Sequence, residues 1–159
     1  MGGFFGVTSK RDCIADVFFG TDYHSHLGTR SGGMAAYDKE IGLQRSIHNI
    51  ENSPFRTKFE HVFDEMKGVA AIGTISDSDP QPLIMRSHHG VFAISVTGII
   101  NNVDALIKML LENGGHFNAM TGGVVNQVEL TAALIDSKPN FEEGIRFAQS
   151  VIEGTASIL

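Results

Sequence analysis

The chain opens MGGFFGVTSK, residues 1–10. Its apolar run, GGFFGV, is too short for the apolar region of an export signal, and no positive charge precedes it. Aromatic residues set between glycines predict a strand over residues 3–8, central and largely buried. A strand that begins almost at the first residue carries the α-amino group of the chain into the fold.

The remaining sequence bounds what that fold can be. Its 159 residues predict one domain, 1–159, long enough to bury roughly two-thirds of the surface of the unfolded chain. A 42% apolar content and 19% charge are those of an ordinary globular protein. The net charge of −6, with no basic run, argues against a nucleic-acid groove or an anionic membrane surface. No apolar stretch approaches the roughly 20 residues that span a bilayer. A single cysteine, Cys13, cannot close an internal disulfide, and this predicts a cytoplasmic protein. The 18 glycines predict tight turns and close backbone approaches.

Along the chain the apolar period switches repeatedly. Asp12 stands as an N-cap before Ile14, Val17 and Phe18 at helical spacing, in a helix ending near Gly28. GGMAAYD and IGLQRSI predict a hairpin turning at Asp38–Glu40. Ser53 and Pro54 open a helix with Phe55, Phe59, Val62, Phe63 and Met66 on one face. VAAIGTIS predicts a strand, and a second hairpin turns at His88–His89–Gly90. Three helices follow, NVDALIKMLLENGG at 102–115 with a stop at Gly114, NQVELTAALIDS at 126–137 and FEEGIRFAQSVIEG at 141–154, then a strand-like TASIL at 155–159. That last run breaks off inside a strand, which predicts further protein downstream. Strands first and helices later suggest an α+β domain with helices on the outer faces of its sheets.

Few residues stand out chemically. His24/His26 and His88/His89 are potential metal ligands, but no carboxylate or cysteine lies at ligand spacing, so they read as surface or turn histidines. Cys13 sits in a first helical turn, where the dipole lowers a thiol pKa, but a lone cysteine beside Ile14 reads more readily as a small packed residue. SDSD at 76–79 reads as a solvated acidic loop more readily than a cation site. GTRSGGM at 28–34 has the glycine density of a phosphate loop without its Gly-Lys-Ser/Thr ending, and reads as a connection into a strand.

In order along the chain, these pieces resemble the class II (N-terminal nucleophile) glutamine amidotransferases, above all the glutaminase domain of the amidophosphoribosyltransferases. Gly3–Val7 matches the opening Gly-x-x-Gly-(Ile/Val), FFG at 18–20 an aromatic pair with glycine, and HLGTRSGGM at 26–34 the His-Arg-Gly segment. GVAAIGTIS at 68–76 with QPL at 81–83, VTGIINNVDAL at 96–106, QVEL at 127–130 and IEGTASIL at 152–159 continue the match. The resemblance implies a four-layer αββα sandwich of two antiparallel sheets. It implies no cofactor. It also implies a phosphoribosyltransferase domain beyond residue 159, using phosphoribosyl pyrophosphate and ammonia in purine synthesis, with no nucleic acid and no membrane. A homo-oligomer stays open.

The match consists of glycines and apolar positions. In the family a cysteine follows the initiator methionine, with its own α-amine as base; here that position is Gly2. The arginine that grips the substrate carboxylate falls on Gly73, the asparagine of the oxyanion site on Thr97, and its backbone N–H partner on Gly98. The aspartate that receives the substrate ammonium falls on Gln127, or on Asn126 one register away, and the arginine of His-Arg-Gly on Leu27, with Arg30 nearby. The resemblance therefore implies a degenerate glutaminase domain with no catalytic residue intact, kept for a structural or regulatory role. Two alternatives remain: a binding module that reuses the old glutamine pocket, and a hydrolase with its nucleophile moved to Thr8, Ser9 or Cys13.

Overall fold

Helical spacing of apolar residues meets a sheet in which small residues predominate, and the fold follows from that pairing. The computed structural model describes residues 2–159. Strand β1 (Gly2–Thr8) pairs antiparallel with β4 (Ala70–Ser76), and β4 pairs antiparallel with β2 (Ser31–Asp38). Strand β3 (Gly42–Asn49) closes the four-stranded sheet, whose order is β1-β4-β2-β3. The β2–β3 turn is held by Asp38, whose Oδ1 accepts from the N–H groups of Glu40 and Ile41 at 2.8 and 3.0 Å.

Helices α1 (Ile14–Tyr23) and α2 (Phe55–Glu65) cover one face of this sheet. Cys13, Val17, Phe55 and Phe59 pack there against Met34, Ala36 and Ile75 of the strands. Asp12 is not the α1 cap. Its Oδ1 accepts from Ile14 N–H at 3.2 Å, while Oδ2 takes the N–H of Gly68 at 2.9 Å and ties the helix start to the approach of β4.

The second half of the chain builds its own layer. Strands β5 (Leu83–Ser87) and β6 (Gly90–Ile94) form a hairpin, and β7 (Val96–Ile100) pairs antiparallel with β10 (Gly154–Ile158). Ser95, between β6 and β7, exchanges backbone hydrogen bonds with Leu159 at 2.8 and 3.0 Å. Helices α3 (Val103–Glu112), α4 (Gln127–Asp136) and α5 (Phe141–Val151) bury Leu106, Leu110, Leu130, Leu134 and Ala148 against these strands. A short hairpin of β8 (Met120–Thr121) and β9 (Val124–Val125) precedes α4. It turns through Gly122 and Gly123, both at positive φ (61° and 82°), a conformation glycine adopts without strain.

Two expectations change. Strand β1 is an edge strand, half-buried, and the two inner positions belong to β4 and β2. The reason is topological: β1 has one partner, and the register from Gly2↔Ser76 to Thr8↔Ala70 uses a single edge. The second layer is two two-stranded pieces, β5-β6 and β10-β7, because the strand run breaks at Ser95. The glycines of 28–34 serve packing: a Cβ on Gly33 would collide with the carbonyl of Gln81, so this glycine lets the 81–82 loop press onto β2.

Candidate functional site

Where the start of β1 and the end of β4 approach β7 and the first turn of α4, the fold leaves a cleft of about 510 Å³. Gly2 and Ser76, paired at the sheet end, form one side, and Thr97 and Gly98 of β7 with Thr155 of β10 form the other. Gln127 closes one end, and Asp77, Ser78 and Gln81 come from the loop after β4.

The cleft wall is fixed by a buried amide. Gln81 is 3% exposed. Its Oε1 accepts from Ser95 Oγ and from Val96 N–H, both at 2.8 Å, and its Nε2 donates to Val96 O at 2.9 Å. Ser95 Oγ in turn lies 2.6 Å from Thr74 Oγ1 of β4, so one polar chain joins the sheet to β7. The β7–β10 register makes Ser95–Leu159 a hydrogen-bonded pair and, by antiparallel alternation, turns the N–H and C=O of Val96 and Gly98 away from β10. Gln81 uses the Val96 pair. The Gly98 N–H is left on the same edge, beside the cleft. Thr97 adds a buried hydroxyl with no hydrogen-bond partner.

The loop and α4 are held by acids. Asp77 Oδ1 accepts from Thr29 N–H at 2.6 Å, which holds this carboxyl below the usual range. Burial pushes the Asp79 carboxyl up, although Gln127 N–H donates to it at 3.1 Å and Arg30 acts in the opposite sense. Asn126 caps α4 by accepting from Val128 N–H at 2.8 Å and donates to Pro80 O at 3.1 Å. Glu129, 5% exposed, receives Asn118 N–H at 2.8 Å and Ala119 N–H at 2.7 Å and pins the loop before β8.

Among the described residues, no His, Lys, Arg or Cys lines the cleft. Those residues give it hydroxyls, the two amides of Gln81 and Gln127 and an acid, but no thiol, no imidazole and no cationic side chain to pair an α-carboxylate.

The fold is shared with PRPP amidotransferases. A glutamine phosphoribosylpyrophosphate (PRPP) amidotransferase from B. subtilis, complexed with ADP and GMP, is similar with a TM-score of 0.82 and 22% identity over 100% of this chain. A structure described as the allosteric regulatory enzyme of purine biosynthesis gives a TM-score of 0.83 and 22% identity over 100% of the chain. The chain spans about a third of those proteins, 34% and 35% of their lengths. No protein-family model and no curated protein matches the sequence.

Against the PRPP amidotransferase fold, the structure brings Gly2, Thr97, Gly98 and Gln127 together on one cleft. Gly73 stands elsewhere. It lies on the helix-facing side of β4, where a Cβ would collide with Thr21 of α1. Leu27 packs over Gly3, and Arg30, outside the cleft lining, donates to Asp77 O at 3.4 Å. Asn126 is a cap, which leaves Gln127 as the α4 residue facing the cleft.

The relocated-nucleophile positions are not in the cleft. Cys13 is 0% exposed, and burial, followed by Asp12 and Asp16, pushes its thiol up, opposite to the lowering expected of a helix start. Thr8 is at the far end of β1 from Gly2, and Ser9 Oγ accepts from Arg11 N–H. The 76–79 acids tie loops instead of grouping as ligands. His26 Nδ1 sits 3.0 Å from Tyr23 O in the turn after α1. His88 and His89 do gain a carboxylate, Asp136, delivered by α4 and invisible as sequence spacing.

Sequence reasoning missed the Gln81–Ser95–Thr74 chain and the Glu129 clamp. QPL at 81–83 was a local signal for the first. Nothing local marks Ser95 or Glu129 as buried.

Proposed function

We propose that this chain is a glutaminase-fold domain, a four-layer αββα sandwich, that releases no ammonia from glutamine. In this reading it is the structural or regulatory part of an amidophosphoribosyltransferase-like protein, cytoplasmic, whose phosphoribosyltransferase domain follows residue 159. The observation that carries it is Gly2 standing in the cleft at the end of β1, opposite Thr97 and Gly98, with no nucleophile–base pair in the described lining.

Carboxamide hydrolysis needs an activated nucleophile, a proton donor for the leaving ammonia and a stabilised oxyanion. A hydrogen side chain at Gly2 cannot attack a carbonyl. The Gly98 N–H can polarise one, but a lone donor contributes only about 3–4 kcal/mol. Even a modest enzyme supplies about 8 kcal/mol or more. A Cβ on Gly2 would also sit 2.6 Å from the Ile75 carbonyl oxygen, so a cysteine there forces the strand end to shift.

The test is ammonia release from glutamine by the purified chain and by Gly2→Cys. Both are expected at background. Turnover by the unaltered chain overturns the reading, and rescue by Gly2→Cys alone shows that the substrate-binding groups are intact. A second reading, a binding module in the same cleft, is favoured by the unpartnered Thr97 hydroxyl, and calorimetric uptake of glutamine or another small amide would select it.

A further inference from the structure

The turn joining β5 to β6 carries His88 and His89, and the last residue of α4, Asp136, reaches it from the neighbouring layer. One ligand atom from each lies within 4.8 Å of the others, and among the described residues no other such grouping of three occurs. His88 Nδ1 is 2.8 Å from Asp136 Oδ1, and His89 Nε2 is 3.9 Å from the same oxygen. Two ligands of a tetrahedral ion with bonds of about 2.1 Å sit roughly 3.4 Å apart, and the two observed spacings bracket that value.

The polar atoms here are poorly served by protein partners alone. The His89 side chain is 6% exposed, walled by the Phe141 ring at 4.6 Å, and its Nε2 has no hydrogen-bond partner. The Asp136 Oδ1 that both imidazoles approach is buried and likewise lacks a hydrogen-bond partner, so its 2.8 Å contact with His88 is not an aligned hydrogen bond. His88 has oxygen on both sides, since its Nε2 is 3.0 Å from Lys138 O. A neutral imidazole has one N–H. With that proton on Nε2 donating to the carbonyl, Nδ1 presents a lone pair beside a carboxylate. That is the tautomer of a metal-bound histidine oriented by a backbone carbonyl.

We propose that His88, His89 and Asp136 form a site for one divalent first-row transition-metal ion, Zn2+ by its donor set of two imidazoles and one carboxylate. The ion would occupy the orphaned Nε2 of His89, take the place of the Nδ1–carboxylate contact and clip the β5–β6 turn to the end of α4. The His88 and Asp136 side chains are 52% and 39% exposed, which leaves the fourth position to water. Nothing in this site touches the cleft, so it stands or falls independently of the glutaminase-fold reading.

The experiment uses the purified, untagged chain, stripped with EDTA and titrated with Zn2+ by calorimetry and with Co2+ by visible absorption. One ion per chain is expected, with the intense visible band of four-coordinate Co2+ and a thermal midpoint that rises with Zn2+. His88→Gln and Asp136→Asn, both at half-exposed side chains and checked for fold by circular dichroism, are each expected to weaken uptake by about tenfold or more. His61→Gln, on α2, is expected to bind as the unaltered chain does. Absence of saturable uptake overturns the proposal. So does one-ion uptake that persists in the folded double variant His88→Gln/Asp136→Asn, or that is lost in His61→Gln.

Discussion

Replacing Gln81 by leucine tests whether the cleft wall depends on one amide. The side chain is nearly fully buried and makes three hydrogen bonds, two to the backbone of Val96 and one to Ser95. At about 1 kcal/mol net each, their loss removes about 3 kcal/mol. The Val96 N–H and C=O are then left on a buried residue with no side-chain partner, which adds to the cost, while the apolar leucine offsets about 1 kcal/mol. A net loss of about 3 kcal/mol remains, or roughly 6–12 °C in Tm for a domain of this length. Urea unfolding followed by circular dichroism at fixed pH measures it, with an unchanged m value confirming that the native state is compared like for like. Ser95→Ala, which removes one Gln81 contact and the Thr74 contact, should cost less, about 1–2 kcal/mol. A loss below about 1 kcal/mol for Gln81→Leu would refute the reasoning, because the wall would then be held by something other than this network.

Three further outcomes are expected. Phe59, 0% exposed and stacked on Phe55 at 4.2 Å, should cost about 3–5 kcal/mol when changed to alanine; a loss under about 1.5 kcal/mol would show that the α2–sheet core collapses around the gap. Burial, helped by His61 and Lys58, pushes His48 below its ordinary value of 6.5. The unfolded chain binds that proton more readily, so this contribution is present above pH 6.5 and is lost as pH falls through the lowered pKa of the folded state. The urea midpoint should therefore fall on acidification from neutral pH, and less so in His48→Gln; identical pH profiles for the two proteins would contradict the assignment. Cys13, sealed under α1 with a thiol pushed up, should resist iodoacetamide in the native chain and react promptly in urea; rapid native labelling would mean that the α1 end of the core opens.

The features legible in the amino-acid order alone are local ones. The helical faces of Phe55–Phe59–Val62 and Leu106–Leu110 were legible because a 3.6-residue period needs only its own segment. The turns at Asp38 and at His88–His89 were legible because turn chemistry resides in the turn residues. Glycines and apolar residues in order also pointed to the family fold. Tertiary structure decided everything that depends on which surfaces meet. β1 became an edge strand because strand order is a property of pairing between distant segments. Gly73 and Gln127 show the same limit at the site: one turned toward Thr21 and the other into the cleft, although their neighbouring sequences gave no sign of which way each would face. The carboxylate of Asp136 reached His88 and His89 only because α4 packs beside the β5–β6 turn. Periodicity reports the face of an element. The partner on that face is chosen by the whole chain folding at once, and no local pattern encodes it.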